Sequence, residues 1–223
     1  MGVVTSRYRK PTAIDVLEMI ASVFVMAAGV VLSVKAMQGT SPISSLPYVI
    51  SLMSGLSLGT TMVIVYTILM LIEWALIRDR SKILLTLSQL PFTIIFSLFV
   101  DAIEVVLDPW VITGLAEQWI MVVLSCALIG FGVVLEIDAN VSMLADDGLI
   151  LAIHRVTKIR LDKVMIIFDV VFVASAFILS YAVFHGFEGV GAGTIFSGIA
   201  LGLFVKIFTG IVKKYIRKDG NID

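Results

Sequence analysis

Ionisable side chains are scarce in the long apolar runs of this 223-residue chain, so the few that fall there are the first candidates for chemistry. Asp101 and Glu104 stand three residues apart, on one face of any helix that carries them, and Asp169 and Lys206 fall inside later apolar runs. A carboxyl group in such surroundings can take up and release a proton. A charge at the centre of a membrane helix costs about 2.5–3.5 kcal/mol on insertion scales unless it faces protein or water. Asp101 and Asp169 are therefore read as coupling acids and Lys206 as a further charge candidate. Asp101 and Lys206 occupy opposite membrane faces and do not pair on this reading. Glu18, Glu73 and Glu136 lie nearer the ends of their runs and are read as snorkelling to the surface or pairing with nearby basic residues.

A second constellation is neutral. The segment from Gly39 to Gly55 places Ser41, Ser44 and Ser45 beside Pro42 and Pro47, and Ile43, Leu46, Val49, Ile50 and Met53 recur at helical spacing. Prolines suit the first turn of a helix and serine hydroxyls can cap it. The predicted helix has roughly ten residues, too few to cross a bilayer. It is either a half-helix that re-enters the membrane or an interfacial helix lying on one leaflet. A half-helix would present free N–H groups able to hold an anion or a carboxylate. Ser41, Pro42, Ser44 and Tyr48 are thus candidate substrate contacts, joined by Gln89 and Pro91 and by Gly191 and Gly193 at the start of the last apolar run.

Several other chemistries find no residues to carry them. His154 and His185 are far apart, no cluster has metal-ligand spacing, and no nucleophile elbow is present, so no catalytic or metal residues are expected and the chain is not read as an enzyme. Cys126 stands alone in an apolar run and is read as a small packing residue. The Gly191-x-Gly193 step has no strand before it and is not a nucleotide fingerprint. No cofactor is expected. The formal charge of −1 gives no sign of nucleic acid binding.

The elements that must position these residues follow from composition. Hydrophobic residues make up 59% of the chain and charged ones 15%, with a mean hydropathy of +1.07, and apolar runs of 18 or more recur between short polar segments. The expectation is an all-α membrane protein with six transmembrane helices, at about 14–37, 56–77, 84–107, 119–137, 164–184 and 191–213. The first run is too long, and lacks the small-residue site, for a cleaved signal peptide. Fourteen of the 16 basic residues cluster at one side: Arg7, Arg9 and Lys10; Arg78, Arg80 and Lys82; Arg155, Lys158, Arg160 and Lys163; Lys213, Lys214, Arg217 and Lys218. Basic residues beside short loops stay in the cytoplasm, so both termini are expected there.

Sliding the chain against itself by 103 residues aligns Ala28–Leu32 with Phe131–Leu135 and Leu58–Met62 with Leu161–Met165. With two further residues of shift, Leu98–Asp101 meets Leu203–Lys206. The halves 1–115 and 116–223 then each hold three spans, an odd number, so the second enters the membrane from the opposite side as an inverted repeat. Each half also carries one extra short helix, re-entrant or interfacial. In the second half that helix follows the start signals Asp146, Asp147 and Gly148 and reads as amphipathic, resting on the cytoplasmic surface. His154 within it reads as an interfacial residue.

The blocks Gly39–Tyr48, Ser54–Gly59, Gln89–Pro91 and Phe99–Asp101, with the glycine-rich Gly189–Thr194, resemble the bacterial YitT/YczE-type integral membrane proteins, a family without an agreed biochemical function. The resemblance covers most of the chain; where that family tends to carry Asn in its second span, this chain has Tyr66. It implies a multi-pass protein of the bacterial cytoplasmic membrane and leaves the substrate open. The inverted repeat points to a small-molecule transporter working by alternating access. The alternatives are a substrate-binding subunit of a larger uptake complex and a non-transporting scaffold or regulator. The expected partners are the lipid bilayer, an unidentified small-molecule substrate, and a second copy or partner subunit packed on small residues such as Gly198 and Gly202.

Overall fold

The computed structural model describes residues 11–77 and 86–215, with side chains described to residue 212. Among them it has eight helices and no strand: α1 Ala13–Lys35, α2 Pro42–Ser54, α3 Leu58–Ile77, α4 Gln89–Leu107, α5 Leu115–Ala139, α6 Ala145–Thr157, α7 Leu161–Phe184 and α8 Ala192–Tyr215. All of these but α2 and α6 are long and apolar enough to cross a membrane, each with a window of mean hydropathy between 2.0 and 2.5. The chain is a multi-pass integral membrane protein. Ile68, Leu98, Ile178 and Ile199 face outward and are exposed, the surface that acyl chains rather than water solvate.

Local signals explain the helix ends. Thr12 and Asp15 form a reciprocal capping box at the start of α1, with Thr12 N–H donating to Asp15 Oδ2 at 2.6 Å. Pro42 takes the first position of α2, and Gly55, at φ 70°, closes it in the left-handed conformation that glycine adopts without strain. Pro47 lies inside α2 instead of starting it. The helix α5 begins at Leu115, four residues before the expected Trp119. The basic residues at 7–10, 78–82 and 217–218 lie outside the described residues, as do the side chains of Lys213 and Lys214.

The centre of the bundle is the crossing of α1 with α5, the most extensive helix contact in the molecule. Two glycines allow the close approach. A Cβ on Gly29 would lie 2.6 Å from Ile129 Cγ1 and 2.9 Å from Ser125 O, and one on Gly132 would meet the Met26 side chain and lie 3.0 Å from Ser22 O. Residues ascending along α1 meet residues descending along α5, so the two helices run antiparallel and their C-termini lie at opposite ends of the bundle. Around this pair, α4 packs on α1 and α8 on α5; α2 packs on α7 and α6 on α3.

The helix α6 does not simply rest on a surface. Leu144, Ala145, Asp146, Gly148, Leu149, Ile150 and Ala152 are buried against α3 and α7, and only its last turn, Arg155–Thr157, is exposed.

Candidate functional site

Two polar clusters are buried in the bundle, one at the start of α2 and one at the start of α6. The first is built of hydroxyls and backbone. Ser41, the residue before α2, has its N–H held by Ser33 Oγ at 3.3 Å, and its own Oγ lies 2.6 Å from Ser44 Oγ. Ser44 also donates to Ser41 O at 3.1 Å and Ser45 to Pro42 O at 2.6 Å. The chain entering α2 lies against the chain entering α8: Thr40 N–H donates to Gly189 O at 3.0 Å and Gly193 N–H to Gln38 O at 2.7 Å. A Cβ on Gly39 would collide with Gly191, and one on Gly189 would lie 2.7 Å from the Tyr48 ring. Burial, with the negative charges of Glu188 and Glu104, pushes the Tyr48 phenol above its ordinary value. Ser41, Ser44 and Ser45 each have a partner inside the cluster.

The second cluster is acidic and its partners run short. Glu136, near the end of α5, accepts from Leu144 N–H through Oε1 at 2.6 Å, but its Oε2 is buried without a partner among the described residues. Asp146 Oδ1 is in the same state. From α4, Gln89 donates through Nε2 to Glu73 Oε2 at 2.8 Å, and its Oε1 and the Thr93 hydroxyl one turn later have no partner. The amide of Gln89 lies against the first turn of α6, where a Cβ on Gly148 would collide with Nε2 and come within 2.9 Å of Glu73 Oε2. Glu73, Gln89, Glu136 and Asp146 are exposed by 4%, 3%, 2% and 7%, so bulk solvent has little access to them. Ser88 Oγ meets Ser142 Oγ at 3.2 Å beside them.

A profile for a family of unknown function, DUF6198, matches residues 14–210. The chain belongs to this family. Comparison with curated proteins and with solved structures gives no match.

In this DUF6198 protein seven of the eight sequence-derived substrate candidates fall in the two clusters. Ser41, Pro42, Ser44, Tyr48, Gly191 and Gly193 come together where α2, α7 and α8 meet. Gln89 and Pro91 lie at the other end of the bundle, Gln89 in the acidic cluster and Pro91 exposed on α4. The charge candidates are dispersed. Asp101 accepts from Gly59 N–H at 2.7 Å and Ser57 Oγ at 2.8 Å, so both its oxygens cap the start of α3. It also lines an open groove of about 350 Å³ with Ser57, Glu104, Val105 and Asp108. Asp169 is partly buried on α7, within electrostatic reach of Asp146. Lys206 is exposed on α8.

Glu73 and Glu136 correct the expectation of snorkelling, since both are buried; Arg78, Arg80 and Lys82, the basic residues nearest the end of α3, lie outside the described residues, and Arg155 acts on Glu73 electrostatically. The glutamates' positions one turn from a helix end suggested access to the surface; the packing of α6 over that end removes it. Cys126 behaves as read, buried between α5 and α8 with its Sγ 3.4 Å from Ser197 Oγ.

Proposed function

We propose that this protein is a small-molecule transporter built as two inverted three-helix repeats, residues 1–115 and 116–223, whose exchange of shape gives alternating access. The observation that carries this reading is that contacts in one half recur 103 residues later in the other. Ser41 N–H is held by the side chain of Ser33, and Leu144 N–H by that of Glu136. Gly29 packs on Ser125 and Ile129; Gly132 packs on Ser22 and Met26. Ser22 donates to Met19 O and Ser125 to Val122 O. Met37 and Asn140 both take positive φ, as do Gly55 and Lys158. The helix pairs exchange in the same way, since α2 on α7 becomes α6 on α3. The antiparallel crossing of α1 with its counterpart α5 suits a pseudo-two-fold axis in the membrane plane, the symmetry that lets one half adopt the other's role.

On this reading α2 and α6 are the paired half-helices, and transport rather than catalysis is the activity. The clusters of basic residues support a bacterial cytoplasmic membrane location with both termini inside. The YitT/YczE-type resemblance is compatible with this and adds no substrate. A second reading, a subunit of a larger uptake complex or a scaffold, draws on α8, where Gly202 and Gly210 face open space and would accept a neighbouring helix or a second copy.

The test is reconstitution of the purified chain in liposomes with a panel of labelled metabolites. The transporter reading expects saturable movement of at least one solute by the chain alone. Binding without flux across the panel would move the protein to the second reading.

A further inference from the structure

We propose that Glu136 and Asp146, faced by Gln89 and Thr93 of α4, form a buried proton-binding site at the start of α6. Its role in driving transport rests on the transporter reading, but its occupancy by protons does not.

The site is rich in acceptors and poor in donors. Among the described residues Glu136 Oε2, Asp146 Oδ1 and Gln89 Oε1 are each buried without a hydrogen bond, and they belong to three different helices, α5, α6 and α4. An unpaired acceptor in an interior needs a donor, and an ionised carboxylate there needs a cation or a proton. Among the described residues, the charged and titratable groups facing the site are mostly acidic, with Arg155 as the cation. From α6 come Asp147 and Arg155, from α3 Glu73 and Tyr66, and from α7 Asp169; Arg155 acts on Glu73. The N-terminus of α6 contributes only about half a positive charge. Full ionisation would therefore leave several electrostatically coupled negative charges with little among the described residues to balance them.

A proton fits this deficit better than a larger ligand. Among the described residues no three acidic, His or Cys side chains are placed to hold a metal ion. The packing at Gly148 against Gln89 and Glu73 leaves less than a methyl group's room, which excludes an organic cation beside it. Protonation of either carboxyl removes a negative charge and supplies an O–H donor to a cluster rich in unpaired acceptors, the proton being exchanged with bulk water. Burial, with the charge of Asp147 beside it, raises the Asp146 carboxyl well above its ordinary range, and burial raises Asp147 to about 6. The corresponding position in the other half is Ser33, whose single hydroxyl is satisfied by Val30 O and Ser41 N–H. At the start of α2 the positions aligned with Glu136, Asp146 and Asp147 hold Ser33, Ile43 and Ser44, none of them an acid.

Infrared spectra of the purified full-length chain in lipid nanodiscs, recorded in H2O and D2O across pH, test the site directly. The wild type is expected to show a protonated-carboxyl C=O band at neutral pH that shifts on deuteration. The band should weaken in Glu136→Gln and in Asp146→Asn and persist in Asp101→Asn. Its absence from wild type at neutral pH, or its survival unchanged in both Glu136→Gln and Asp146→Asn, would overturn the proposal. The wild-type spectrum decides the first point even if a variant fails to fold. In liposomes carrying an active solute, an imposed pH gradient should drive uptake by wild type and not by Glu136→Gln; uptake indifferent to the gradient would overturn the coupling role. A protonated band with no flux would instead defeat the transporter reading and leave the proton site standing.

Discussion

The chain segments entering α2 and α6 are built on one plan and filled with opposite chemistry. In each, the first backbone N–H is held by a side chain eight residues earlier, supplied by the preceding long helix. At α2 that side chain is Ser33, and the following Ser44 and Ser45 satisfy themselves on nearby carbonyls. At α6 it is Glu136, and the residues aligned with Ile43 and Ser44 are Asp146 and Asp147. A hydroxyl can donate and accept at once, so a hydroxyl cluster closes on itself in an apolar interior; a carboxylate only accepts, and its cluster stays open to a further donor. One scaffold thus gives a finished structural joint at one end and a chemically unsatisfied one at the other.

The comparison is broken most severely at the crossing the two halves share. Gly29→Leu and Gly132→Leu each drive a side chain into the facing helix and should each destabilise by about 3 kcal/mol or more. Thermal unfolding in detergent should show similar losses for the two. A large loss for one with little for the other would contradict their equivalence. At the next level, Glu136→Ala leaves Leu144 N–H buried and unpaired beside a void, an expected loss of about 2–3 kcal/mol, whereas Ser33→Ala should lose about 1 kcal/mol. Glu136→Gln keeps the Oε1 acceptor and adds a donor, so its unfolding temperature at pH 7 should equal or exceed that of wild type.

A third test sharpens the contrast through pH. Asp147 has a folded-state value of about 6 against an ordinary 3.8, so between those values the folded chain holds more protons than the unfolded one. Stability from this group is therefore fully present below about pH 4, falls as pH rises to about 6, and then levels. The unfolding temperature of wild type should decline across that window, and Asp147→Asn should flatten the decline. Ser44→Ala, at the aligned position, should leave the pH profile unchanged.

The six spans were legible because continuous apolar runs leave few other options in water or lipid, and their bounds differ from the structure mostly by a few residues. Ser41, Pro42, Ser44, Tyr48, Gly191 and Gly193 were also legible as a group, because glycine, proline and serine mark points where backbones meet and helices begin. The burial of Glu73 and Glu136 was not legible, because a carboxylate near a helix end reads as solvated unless a separate helix is known to cover it; Asp146 does start α6 as its sequence signalled, and only its burial was not legible. The 103-residue offset held a usable signal: it aligns Glu136 with Ser33 and Asp147 with Ser44, small hydroxyls of which Ser44 lies in the segment already read as a candidate site.

The glycine contact between α1 and α5 also fixes a mechanical ratio. Gly29 lies six residues from the end of α1 at Lys35 and sixteen from its start at Ala13, lever arms of about 9 Å and 24 Å at 1.5 Å per residue. Gly132 divides α5 in nearly the same proportion, with its long arm toward Leu115. Because the two helices are antiparallel, each end of the bundle receives one long arm and one short one. A rotation about this fulcrum sweeps both ends by comparable distances while hardly moving the atoms at the pivot, so neither mouth of the bundle has the larger mechanical advantage.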